Sequence, residues 1–139
     1  MEAHRMHTLA ATALLAAVCA APQAFAQDGT PDPAAFVQRF DRSGKGLLDM
    51  RAVLNAAVVK FASLDTEKRG RVTTQQLAGV LTLDEFKAAN PDGDTTIGVE
   101  EWFDLVRRRF YAANPDNDGS LSVDELKATA GQALLKLVQ

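Results

Sequence analysis

The sequence predicts an all-α protein, a small antiparallel helical bundle strung on four closely spaced twelve-residue loops. Three observations predict it. Oxygen-bearing residues and a turn residue recur in one order, with loops starting at Asp41, Asp65, Asn90 and Asn114, in steps of 24, 25 and 24 residues. Between the loops, apolar residues fall at helical spacing. The eighth residue of every loop is apolar: Leu48, Val72, Ile97 and Leu121.

Loop 4 (114–125) is the best preserved. It reads Asn-Pro-Asp-Asn-Asp-Gly-Ser-Leu-Ser-Val-Asp-Glu. Asn114, Asp116, Asp118, Ser120 and Ser122 put oxygens at positions 1, 3, 5, 7 and 9, with Gly119 at 6 and Glu125 at 12. A hard cation needs this pattern. Alternate residues offer oxygens, glycine allows the sharp turn, and the final glutamate can bind through both carboxylate oxygens, as in EF-hand-type loops. Loop 3 (90–101) has Asn90, Asp92, Asp94, Thr96 and Glu101 at positions 1, 3, 5, 7 and 12. Gly98 at position 9 can supply only water. Thr95 stands at position 6, where positive φ would be costly for a β-branched residue, so a distorted or weaker site is expected there.

The first two loops are degenerate. Loop 1 (41–52) keeps Asp41, Ser43, Gly46 and Asp49 but has Lys45 at position 5 and Ala52 at 12. Loop 2 (65–76) keeps Asp65, Glu67 and Gly70, with Arg69, Arg71 and Gln76 at positions 5, 7 and 12. Two carboxylates beside two guanidinium groups are poorly placed to hold a metal ion.

The helices follow in order. Ala34 to Phe40 is short, with Phe36, Val37 and Phe40 apolar. Val53 to Leu64 buries Val53, Leu54, Ala57, Val58, Phe61 and Leu64. Leu77 to Leu81 makes a turn. The capping box Thr82-Leu-Asp-Glu85 starts a piece ending near Ala89, with Leu83 and Phe86 inward. Trp102 to Ala113 has Trp102, Phe103, Val106, Phe110 and Tyr111 inward, and Arg107 to Arg109 facing solvent. Leu126 closes a turn. Thr129 with Gln132 makes a second capping box, and Leu134, Leu135, Leu137 and Val138 give the last helix its packing face.

Residues 1–26 read as a cleaved signal peptide: an apolar run from Leu9 to Ala21, then Ala24-Phe25-Ala26 before Gln27. Val18 before Cys19 fits a lipoprotein signal poorly. A polar lead-in, 27–33, precedes the repeat domain, 34–139, and a periplasmic location follows. The run is too short for a membrane span. A net charge of -3 calls for no nucleic-acid partner. Beyond the leader the chain has no Cys or His, and no nucleophile–base pair or phosphate-binding glycine loop is visible, so an enzyme is not expected.

Only 12 or 13 residues separate successive loops. One helix of roughly 18 Å must therefore leave one loop and enter the next. Loops would then alternate between the bundle ends, first with third and second with fourth, unless breaks at Thr82 and Thr129 change the packing. The apolar eighth position predicts that loops join in pairs through short β-bridges.

The repeats, Pro91 and Pro115 at position 2 of loops 3 and 4, Phe110-Tyr-Ala-Ala before loop 4 and Ala130-Gly-Gln-Ala-Leu after it resemble the lanmodulin family of periplasmic lanthanide-binding proteins. The likeness runs from about residue 36 to the C-terminus. It implies a three-helix bundle with EF-hands separated by single helices, the first loop paired with the fourth and the second with the third. By resemblance, metal-ligand roles fall on Asn90, Asp92, Asp94, Thr96 and Glu101, and on Asn114, Asp116, Asp118, Ser120 and Glu125, with Ser122 at position 9. The implied cofactor is a lanthanide ion (La3+ to Sm3+ range) or Ca2+. The family's loops usually carry aspartate at position 9, kept here only by Asp49. Arg42 and Thr66 replace proline in loops 1 and 2. Each plausible site has three carboxylates, which weakens the pull on a trivalent ion.

Two functions are therefore expected to compete. One is a periplasmic buffer, carrier or sensor of lanthanide or calcium ions through one or two loops, as a monomer or metal-linked dimer. The other is a small helical interaction module with structural loops, docking a periplasmic protein partner through Arg107 to Arg109.

Overall fold

The computed structural model describes residues 31–139. The expected signal peptide and lead-in residues 27–30 lie outside them. The described chain is mostly helical, with two small two-stranded sheets.

Helix α1 (Pro33–Phe40) starts on Asp32, whose carboxylate accepts from the Ala34 N–H at 3.0 Å. Proline at its first position loses no hydrogen bond there. Strand β1 (Leu47–Asp49) runs directly into α2 (Met50–Leu64), where Asp49 accepts from Ala52 N–H at 2.7 Å. Strand β2 (Arg71–Thr73) leads into a series of turns and then α3 (Leu83–Ala89). Thr82 and Glu85 form the expected reciprocal box at the start of α3. Strand β3 (Thr96–Gly98) passes into α4 (Val99–Ala113), and β4 (Ser120–Ser122) into α5 (Val123–Lys127). Ala128, extended at ψ 160, makes an elbow before α6 (Thr129–Val138).

Helices α2 and α4 thus begin at the tenth loop residue, three residues earlier than their apolar patterns suggest. The ninth residue is the N-cap and the twelfth is the third helical residue, so the end of the loop and the start of the helix are one structure.

Strand β1 pairs antiparallel with β4, and β2 with β3. Loop 1 therefore lies beside loop 4, and loop 2 beside loop 3. The alternating arrangement is overturned, and the pairing is the one the family resemblance implied. The reason lies between loops 2 and 3. Helices α2 and α4 each have 15 residues and carry the chain about 22 Å. Between loops 2 and 3 the chain has only turns and the seven-residue α3, so it doubles back without crossing.

Helices α2, α4 and α6 pack on one another pairwise, and α1 rests against α5. Trp102 is fully buried at the centre. Its indole N–H donates to the Ala57 carbonyl at 3.3 Å, and its ring lies 5.9 Å from Phe61. Leu134, Leu135, Leu137 and Val138 are buried as expected. Val58, Leu83 and Tyr111 are not; each is more than half exposed, while Ala56 and Leu105 take inward positions instead. The second capping box is absent too. Ala128 caps α6, and Gln132 Nε2 reaches back to the Leu126 carbonyl at 3.0 Å, bracing the elbow.

That elbow closes over Gly131. A Cβ there would overlap the Glu125 carbonyl oxygen and the Leu126 backbone. Backbone cannot yield as a flexible side chain can, so Gly131→Ala should destabilise by about 1–3 kcal/mol. A urea melt would check this; wild-type stability would contradict the close approach.

A clasp joins α3 to α4. Glu85, already bonded to the Thr82 N–H, also binds the Arg109 guanidinium. The Thr82 N–H first, and Arg109 next, pull the Glu85 carboxyl from its ordinary 4.5 to about 2. A lowered folded-state value stabilises above the unfolded value and loses that stabilisation as pH falls toward 2. The side chain is 36% exposed, so solvent screens much of the effect. Glu85→Gln should cost about 1 kcal/mol near neutrality. Its deficit should shrink as acid is added from pH 4.5 toward 2, read from melts across that range.

Candidate metal centre

The loops divide by how their first residue is satisfied. In loop 1, Asp41 accepts from the N–H groups of Ser43, Gly44 and Gly46 at 2.7–3.1 Å and from the Ser43 hydroxyl at 2.6 Å. The Ser43 hydroxyl and these amides hold its carboxyl below the usual range. In loop 2, Asp65 accepts from Arg69 and Gly70 N–H at 2.9 and 2.7 Å. Gln76 at position 12 accepts from the Thr73 N–H at 2.9 Å and its hydroxyl at 3.2 Å. Glu67 pairs with Arg69 at 2.8 Å. Asp49 is spent capping α2. These two loops hold themselves closed with their own backbone.

Loops 3 and 4 differ. Asn90 and Asn114 are buried, with 7% and 2% of their surfaces exposed. Their Oδ1 atoms have no hydrogen-bond partner, although Asn90 Nδ2 donates to the Asp94 carbonyl at 2.6 Å. Glu101 uses one oxygen to accept from the Gly98 N–H at 2.8 Å; the other, Oε1, is buried and unpartnered. Those three are the buried side-chain acceptors left unsatisfied among the described residues. All three stand at position 1 or 12 of a loop. Unpaired buried acceptors are costly and rare, and their concentration here is what a cation-binding loop provides.

The remaining predicted residues surround these. Asp116 accepts from the Asp118 N–H at 3.2 Å, and Asp118 from the Ser120 N–H and hydroxyl, both at 2.8 Å. Ser122 and Glu125 bond reciprocally, Glu125 accepting from the Ser122 N–H and hydroxyl at 2.8 Å. The Ser122 hydroxyl thus serves the helix start. Asp92 accepts from the Asp94 N–H at 3.1 Å. Among the described residues, no three His, Cys, Asp or Glu side chains are already gathered as a metal-ligating group. The acidic groups of each loop are instead tied to neighbouring amides, and both first-position donors are asparagines.

Loop 3 departs from its relatives at two points. Positions 4 and 6 are left-handed in loops 1, 2 and 4, as at Asn117 (φ 55) and Gly119 (φ 87). In loop 3 only Gly93 is (φ 71); Thr95 stays out of that region, where its branched side chain would clash. The expected distortion is therefore present. Second, Arg71 of loop 2 does not face Asp65 or Glu67. It crosses the β2–β3 pair to Asp94 at 2.7 Å and approaches the Thr96 hydroxyl at 3.4 Å. Sequence reading assigned this arginine to its own loop. The strand register, Arg71 opposite Gly98, explains the crossing.

The arginine run is also engaged. Arg107 pairs with Asp104 at 2.7 Å, Arg108 donates to the Asp104 carbonyl, and Arg109 holds Glu85. No protein-family model and no curated protein matches this sequence.

Replacing Asn114 by aspartate would put a charge where a neutral acceptor is already unpaired, without the amide bonds that Asp41 enjoys. Asn114→Asp should lower the melting temperature of the metal-free protein. The loss should be reversed by excess calcium or a stoichiometric lanthanide, because a bound cation stabilises the folded form by mass action. A thermal shift series with and without metal checks both signs.

Proposed function

We propose that the chain is a periplasmic, lanmodulin-like metal-ion-binding protein, a buffer, carrier or sensor of lanthanide or calcium ions. Its fold would be a three-helix bundle of α2, α4 and α6 joined by EF-hand-type loops. The single observation that carries the reading is the set of three buried, unpartnered oxygens at position 1 of loops 3 and 4 and position 12 of loop 3. Asn114, Asp116, Asp118, Ser120 and Glu125 would hold one ion; Asn90, Asp92, Asp94, Thr96 and Glu101 would hold a second. An oxygen-only donor set suits a hard cation, and calcium and the lanthanides are both of that kind.

Each loop offers three carboxylates. As an extracytoplasmic calcium module it would bind with a dissociation constant of roughly 10⁻⁴ to 10⁻³ M. A trivalent ion of similar size gains more from the same carboxylates and should bind more tightly. The self-satisfied Asp41, Asp65 and Gln76 favour a structural role for loops 1 and 2. That part of the interaction-module reading is compatible with metal binding at the other end of the repeat.

The test is a competition titration between calcium and terbium, followed by Trp102 emission and helicity, on wild type, Glu101→Gln and Glu125→Gln. Each variant should weaken one step by more than the roughly 10- to 100-fold typical for loss of a supporting second partner. Absence of any response to micromolar terbium and millimolar calcium would falsify the reading and leave the loops as structural elements.

A further inference from the structure

Loops 3 and 4 resemble each other in ligands but not in what lies across from them. Each is paired with a degenerate loop, and in both pairs position 7 of that loop faces position 9 of its partner. For loop 4 the facing residue is Leu47, opposite Ser122. For loop 3 it is Arg71, opposite Gly98. Because Gly98 has no side chain, nothing on the facing strand position bars the guanidinium. It reaches Asp94 Oδ2 at 2.7 Å and lies 3.4 Å from the Thr96 hydroxyl. Asp94 Oδ1 is meanwhile held by the Thr96 N–H and hydroxyl at 2.6 and 3.0 Å. Both oxygens of the position-5 carboxylate are thus in use. Among the described residues, no ion pair involves Asp116, Asp118 or Glu125 of loop 4.

We propose that Arg71 is the resident cation of loop 3, a specificity-determining residue that makes the two loops load in order, loop 4 first and loop 3 second. This rests on the metal-binding reading above. A metal ion and a guanidinium on the same Asp94 carboxylate repel each other, so an ion entering loop 3 works against the Arg71 pair. In loop 4 the corresponding leucine imposes no such competition. The degenerate loop 2 thereby acquires a role: it lends its neighbour a positive charge that keeps the metal-free loop from accumulating unbalanced carboxylates. The pair is partly solvated, with Arg71 59% and Asp94 37% exposed. Its competition is accordingly modest, of the size of a surface ion pair.

The test is calorimetric titration of the full folded protein with terbium chloride and, separately, calcium chloride. It uses wild type, Arg71→Gln and Arg71→Lys, each also combined with Glu125→Gln so that loop 3 is read alone. Arg71→Gln should tighten the weaker step by about five-fold, the equivalent of an exposed ion pair, and leave the tighter step unchanged. If wild type shows one step only, Arg71→Gln should reveal a second. Arg71→Lys, which keeps the charge, should stay near wild type, which separates competition from packing. Two steps that are both insensitive to Arg71→Gln would overturn the proposal while leaving metal binding standing. A shift in the tighter step would overturn the assignment of order. No binding to wild type or to any variant would instead remove the metal-binding reading itself, and this proposal with it.

Discussion

Leu48 against Leu121 and Val72 against Ile97 are the contacts on which the rest of the molecule depends. All four side chains are fully buried, each at the centre of a three-residue strand. A two-stranded ribbon of that length has little stability of its own. It persists because its middle residues are anchored in the helical core. In return, the ribbon holds two loops in register at each end. The long helices α2 and α4 then have fixed points between which to run, and α6 completes the packing around Trp102.

The loops are not appendages to these helices. In loops 3 and 4, as in loop 1, the ninth and twelfth residues are the cap and the third residue of the following helix, so in loops 3 and 4 the same residues stabilise a helix terminus and stand at the candidate metal centre. Glu101 shows the consequence. One of its oxygens holds the Gly98 N–H, and the other has no partner. Ser122 and Glu125 use the same pairing more completely. Any cation drawn into these loops therefore acts on a residue already committed to α4 or α5. This couples the proposed binding directly to helix position.

Division of labour within the repeat follows from a small chemical difference. An aspartate at position 1, as in loops 1 and 2, gathers the loop's own amides and needs nothing else. The asparagines of loops 3 and 4 leave a buried oxygen unpaired. The first two loops are self-contained turns, whereas the second two leave buried side-chain oxygens without a partner. In loop 3 Arg71 brings a positive charge to Asp94 while Asn90 Oδ1 and Glu101 Oε1 stay unpartnered, so two loops with similar ligands stand in different electrostatic surroundings.

Sequence alone determined the repeat, the turn positions and the predominantly helical character, because these depend on local spacing and on residues that tolerate or forbid positive φ. The apolar eighth positions also announced that loops would pair. Which loops paired was decided by the tertiary structure. The turns after Gln76 and the brevity of α3 reverse the chain between loops 2 and 3, and periodicity carries no measure of direction in space. The same limit applies to single residues. Leu83 and Tyr111 match helical apolar patterns yet face solvent, since each helix turned another side to its neighbours. Gly131 showed as a glycine in a helix, but only the folded elbow revealed the backbone it must admit. The candidate ligands were legible because a cation-binding loop is contiguous in sequence. Arg71 at Asp94 was not, because that contact joins residues 23 positions apart across a strand pair whose register only folding sets.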